Sequence, residues 1–160
     1  MIGVLSMKVK RTVYTILLDV ACCAILAGSF LYLLLQWEHF PEIVPSHYGF
    51  SGTPDRWSDK SSLLVTPLMA LIIFCGITVT ERFPQIWNTG VKVTEENRER
   101  VYSVLHHMIS TIKFLSLVIL TSISVIASLA KPIPLWFLLL SLLLLFGSMV
   151  FFLIKLFKGK

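Results

Sequence analysis

The stretch PLWFLLLSLLLLFGSMVFFLI, Pro134 to Ile154, decides the fold class. It runs 21 residues without a charged side chain. A helix rises ~1.5 Å per residue, so about 20 residues cross a hydrocarbon core ~30 Å thick. A soluble helix this long would keep one polar face, and this run keeps none. Three more apolar runs precede it: about Val13 to Gln36, Ser62 to Thr80 and Ile109 to Ala130. Lipid offers no hydrogen bonds to open backbone groups, so each run must be a helix or part of a closed barrel. A transmembrane barrel needs short alternating strands, and none stand out. The reading is an all-α membrane protein, a bundle of four transmembrane helices forming a single domain over 1–160.

Composition supports this. The chain is 56% hydrophobic and 14% charged, against about 25% charged in a typical soluble domain. Its mean hydropathy is +0.81. The net charge of +5 does not point to nucleic acid, because the basic residues flank the apolar runs. They read as topology signals facing anionic lipid. Lys8, Lys10 and Arg11, then Arg82, Lys92, Arg98 and Arg100, then Lys155, Lys158 and Lys160 fall on one side. Only Arg56, Lys60 and Lys131 fall on the other. The positive-inside rule therefore expects both termini in the cytoplasm of a cell membrane. Trp37, Trp57 and Trp136 sit at the opposite, outer ends, where an aromatic belt belongs.

The first run follows basic residues, as a signal peptide would. It is too long for such a segment and Asp19 interrupts it, so it is read as an uncleaved helix, starting from Met1 or Met7. Cys22, Cys23 and Cys75 form no CxxC pair and read as small packing residues.

Two connections carry content. Residues 37–61 hold Pro41, Pro45, Pro54, Gly49 and Gly52, which break helices and make turns. Phe40, Ile43, Val44, Tyr48, Phe50 and Trp57 give that connection apolar anchors, so an ordered outer cap is expected. The other connection starts at Glu81. Asn88-Thr89-Gly90 signals a turn, and Thr94 reads as an N-cap ahead of Glu95 and Glu96. The third helix is thus expected over 95–130, its first part in the cytoplasm. Glu96 and Arg100 are spaced to pair. Lys131-Pro132-Ile133-Pro134 closes a tight hairpin into the fourth helix, 134–154.

Phe40 to Lys60 resembles the signature of a bacterial membrane family, domain of unknown function 1648. The residues that carry the resemblance are Pro41, Pro45, His47, Tyr48, Gly52, Pro54, Asp55, Trp57 and Lys60. A second stretch, Asn88 to Asn97, looks like one that follows the second helix in such proteins, except that Gly90 stands where proline is usual. The resemblance spans roughly Val13 to Lys113. The family includes the SdpI-type immunity proteins, which protect a cell from its own secreted peptide toxin. The resemblance therefore implies a non-enzymatic protein that resists or senses a membrane-active peptide or lipid through its cap.

On that reading His47, Tyr48, Asp55, Trp57 and Lys60 bind the ligand. The bland alternative makes the cap a structural lid, with His47 bonded to Asp55 or to backbone. The rival class is a small membrane enzyme or transporter using cap histidine and carboxylates, with a metal on His39, Glu42, His47 and Asp55. No HExxH-type spacing supports that set. No catalytic or cofactor fingerprint and no inverted repeat is visible, so neither a metal nor a cofactor is expected. Segment 92–100 is a candidate dock for a cytoplasmic regulator.

Asp19 lies about 9 Å into the first helix, where an aspartate needs a partner. Lys113 lies at similar depth in the third helix, and an Asp19–Lys113 ion pair is expected. Without one, Asp19 would reach interfacial water. His106 and His107 read as interfacial side chains, since neighbours on a helix point ~100° apart. Gly28, Ser29, Gly147 and Ser148 suit close helix approach.

Overall fold

The structure is a computed structural model that describes residues 9–158. Met1, Met7, Lys8 and Lys160 lie outside it. Four helices are long and apolar enough to cross a membrane. They are α1 (Val13–Gln36), α2 (Val65–Glu81), α3 (Arg98–Ser128) and α4 (Leu135–Lys158). Each connection reverses the chain, so one end of the bundle holds the starts of α1 and α3, and the other holds residues 37–61.

α1 begins at a capping box. Thr12 Oγ1 accepts from the Thr15 N–H at 3.3 Å, and Thr15 Oγ1 accepts from the Thr12 N–H at 3.2 Å. Two backbone donors that lipid would leave unpaired are satisfied this way. α2 is entered through a 3₁₀ segment, Lys60–Leu64. The expected start of α3 near Glu95 moves to Arg98. Thr94 and Asn97 explain the shift by bonding each other's backbone: the Asn97 N–H reaches Thr94 Oγ1 at 3.3 Å, and the Thr94 N–H reaches Asn97 Oδ1 at 2.9 Å. That closed turn holds Glu95 and Glu96 outside the helix. Arg100 donates instead to the carbonyls of Lys155 and Leu156, at 3.3 and 3.4 Å. It thereby caps the end of α4, and α4 runs four residues past Ile154.

α3 packs against α1, α2 and α4. Its buried face carries Ser110, Lys113, Thr121, Ser124 and Ser128. Small hydroxyl residues let backbones approach, which is what drives helix association where lipid removes any hydrophobic gain. Two of these hydroxyls return to their own helix, Thr121 to Leu117 O at 2.7 Å and Ser128 to Val125 O at 2.8 Å. Apolar packing fills three levels. Leu33, Phe40, Val44, Leu63 and Ala127 lie under the cap. Cys22, Leu26, Ala70 and Leu117 fill the middle. Val101, Val104, Leu105, Phe152 and Leu156 lie at the far end, covered by Trp87, Val91 and Val93. The leucine-rich faces of α4 stay exposed, as a lipid-facing helix requires.

The ordered connection between α1 and α2 takes a form the turn residues did not announce. It is a β-hairpin, β1 (Ile43–Tyr48) antiparallel to β2 (Pro54–Asp59). Prolines in both strands argue against a sheet, but in a two-stranded hairpin every strand is an edge, where proline is tolerated. The register breaks on either side of His47, so Ile43 faces Asp59 while His47 faces Arg56. Gly52 closes the tip with φ +79°. Its carbonyl accepts from the Ile133 N–H at 2.8 Å, and a β-carbon on Gly52 would lie 2.1 Å from Ile133 O. Only glycine meets both demands.

Candidate functional site: the hairpin cap and an intramembrane ion network

The hairpin is pinned to the α3–α4 turn at two points. One is the Gly52–Ile133 bond. The other runs from the Tyr48 hydroxyl to Lys131 O at 3.1 Å. Partial burial pushes the Tyr48 phenol above its usual range. On the α1 side, Lys60 donates to Glu42 Oε1 at 2.8 Å, and its ammonium lies 5.7 Å from the Trp37 ring centre. The polar groups of Tyr48 and Lys60 are therefore engaged within the cap.

His47 and Asp55 are brought together, Nδ1 to Oδ1 at 2.6 Å, with side chains 61% and 51% exposed. Trp57 is 50% exposed, Ile43 52%, and Phe50 at the tip is fully exposed. The cap thus offers apolar side chains beside a hydrogen-bonded His47–Asp55 pair. The four-residue metal set is not assembled, because Glu42 turns to Lys60 and His47 to Asp55. Among the described residues no three His, Cys, Asp or Glu side chains could hold a metal ion.

At the opposite end the structure places Lys113 Nζ 2.7 Å from Asp19 Oδ1. Lys113 is fully buried. Its ammonium also donates to Glu81 Oε2 at 2.6 Å and to Thr78 Oγ1 at 3.3 Å. An ammonium has three donors, and all three are used. Asp19 in turn pairs with Arg11. Ser110 donates to Glu81 Oε1 at 2.8 Å. Arg11, Asp19, Lys113 and Glu81 form a chain of alternating charge across α1, α3 and α2, and their formal charges cancel. An isolated ion at this depth would be costly, and mutual pairing offsets the desolvation.

Glu81 was read from the sequence as the first residue of a loop. It ends α2 at the depth of Lys113, and a buried ammonium with three donors calls for more than one carboxylate. His106 and His107 also depart from the interfacial reading. His106 is buried beside Glu81, its Nε2 4.0 Å from Oε1, and lies against Trp87. His107 Nε2 is 2.9 Å from Thr12 Oγ1, and Tyr14 packs edge-on to its ring. These contacts tie the start of α1 to α3.

A multi-pass helical bundle with a hairpin locked over one end and an ion network near the other defines a class of membrane protein. Within that class, residues 24–71 match the family model described as "Domain of unknown function (DUF1648)". The matched segment covers the second half of α1, the hairpin and the entry to α2, which is where Pro41 to Lys60 lie. An uncharacterized protein of Archaeoglobus fulgidus is 32% identical over 87 residues, 46% of this chain and 48% of the relative. The match thus spans about half the length of that relative. No solved structure matches this chain.

Proposed function

We propose that this chain is a non-enzymatic protein of the cell membrane whose cap faces outward and engages a membrane-active peptide at the lipid surface. The basic ends Lys10–Arg11, Arg82 and Lys155–Lys158 then face the cytoplasm with both termini. One observation carries the reading: a hairpin pinned to the α3–α4 turn by Gly52 and Tyr48 keeps Phe50, Trp57 and Ile43 exposed. A preorganised apolar surface needs little further ordering to bind an amphipathic partner. Asp55 and Arg56 supply charge for selection, and His47 is bonded to Asp55. The likeness to SdpI-type proteins makes immunity the role that suits such a surface. Segment 92–100 is less suited as a regulator dock, because Arg100 is engaged with the end of α4.

The test is protection. Cells or proteoliposomes bearing the chain are challenged with a cationic amphipathic peptide, and leakage is followed by dye release. The wild type slows leakage, and the double variant F50A/W57A loses most of that effect while folding normally. Equal leakage with wild type, variant and empty membranes removes the proposal.

A further inference from the structure

The hairpin is a two-stranded sheet, so each strand has one paired side and one open side. The ladder decides which backbone groups look outward. The Lys60 N–H reaches Glu42 O at 2.9 Å, which makes Glu42 and Lys60 a bonded pair. Bonded and non-bonded pairs alternate along an antiparallel ladder. Val44–Ser58 is therefore the next bonded pair, while Ile43–Asp59 and Pro45–Trp57 turn their backbone groups away from the opposing strand.

The two outer edges are unlike. On β1, Pro45 has no N–H to offer, and that strand packs against α3 and the 3₁₀ segment. On β2 the outward N–H groups belong to Trp57 and Asp59, and neither has a hydrogen-bond partner among the described residues. Asp55, Arg56, Trp57 and Asp59 are all exposed. An open edge of this kind is a template for one more strand. Charge selects the occupant. Residues 37–61 hold Glu38, Glu42, Asp55 and Asp59 against Arg56 and Lys60, net −2 with histidine neutral, in a chain of net +5. The cap is the acidic part of a basic protein and complements a cationic partner.

We propose that an extended cationic peptide adds to β2 as a third strand, bonded through the backbone of Trp57 and Asp59. This rests on the reading of the cap as a peptide-binding surface, and it gives that peptide a conformation and a register. Trp57 and Asp59 are two residues apart, so their side chains share one face of the strand. The peptide sets an apolar residue opposite Trp57 and a basic residue opposite Asp59.

The test uses the full chain in nanodiscs and a fluorescent, threonine-rich peptide carrying valine and lysine two residues apart. Retention of the peptide is measured first, then hydrogen exchange of the cap amides by NMR. The peptide is retained, and the Trp57 and Asp59 amides slow by about tenfold or more. The Ile43 amide, which turns outward on the other edge, is unchanged. N-methylation of the valine and lysine weakens retention about tenfold, as loss of strand bonds should. Trp57→Pro removes the outward N–H as well as the indole, and binds less than Trp57→Ala, which removes the indole alone. If Trp57→Pro does not fold, exchange in the wild type decides. Retention without slowing at Trp57 and Asp59, or equal retention of the methylated peptide, overturns the added strand and leaves the peptide-binding cap standing. Absence of retention with dye-release protection intact does the same. Absence of both retention and protection overturns the strand and the cap reading together.

Discussion

Lys113 on α3 and Glu81 at the end of α2 meet at 2.6 Å, so that one ammonium holds two carboxylates from two other helices. Removing the centre leaves both acids buried or half-buried. Lys113→Met should destabilise the bundle by about 3–5 kcal/mol, the usual loss when one partner of a buried pair goes. Adding Asp19→Asn and Glu81→Gln to Lys113→Met should restore most of it. Thermal unfolding in detergent checks both. A single variant as stable as wild type would show that the network carries no stability.

Gly52 binds the hairpin tip to the α3–α4 turn. Gly52→Ala meets both a positive φ and the Ile133 carbonyl, and should cost about 1–3 kcal/mol locally. Hydrogen exchange reads this directly. The Ile133 amide, protected by its bond to Gly52 O, should exchange quickly in the variant. Unchanged protection would mean that the tip is anchored elsewhere.

Ala130, just past the C-cap Leu129 of α3, has φ 52°, the position where helices usually carry glycine. A left-handed alanine is strained by roughly 1–2 kcal/mol, partly offset by the greater unfolded-state freedom of glycine. Ala130→Gly should therefore stabilise the protein by about 0.5–1 kcal/mol. Denaturation that shifts the other way would refute this account of the turn.

The Tyr48 phenol, raised by burial, donates to Lys131 O only while protonated. A raised acid favours the neutral form in the folded state. Its contribution is complete below the ordinary tyrosine value of about 10 and is lost as pH rises through the folded value. Proteolysis of the cap should accelerate in that alkaline window for wild type. Tyr48→Phe should remove the dependence and cost about 1 kcal/mol at neutral pH. A wild-type profile identical to that of the variant counts against the anchor.

Orientation is tested at the hairpin tip. With Cys22, Cys23 and Cys75 replaced, Ser51→Cys should react with an impermeant maleimide added to intact cells. Labelling only by a permeant reagent would place the cap inside, and the peptide-binding role would go with it.

Particular elements show how far the chain could be read. The apolar run expected at about Val13 to Gln36 lies where the structure has α1. The ends of α2, α3 and α4 shifted by a few residues, since caps such as Thr94–Asn97 and Arg100–Leu156 depend on side chains that meet only after folding. The hairpin escaped notice because its prolines mask strand pattern, and its partner at Ile133 lies some eighty residues away in sequence. Asp19 and Lys113 were matched by depth alone. Glu81 and His106 were not, since a residue at a helix end looks solvated until neighbouring helices enclose it.

The sequence by itself determined that this is a four-helix membrane protein with a structured connection, because long apolar runs leave the backbone no other solution in lipid. Only the tertiary structure decided that Glu81 and Arg11 join the Asp19–Lys113 pair. A buried ion is tolerated where partners converge from several helices, and convergence is a property of packing rather than of spacing along one chain.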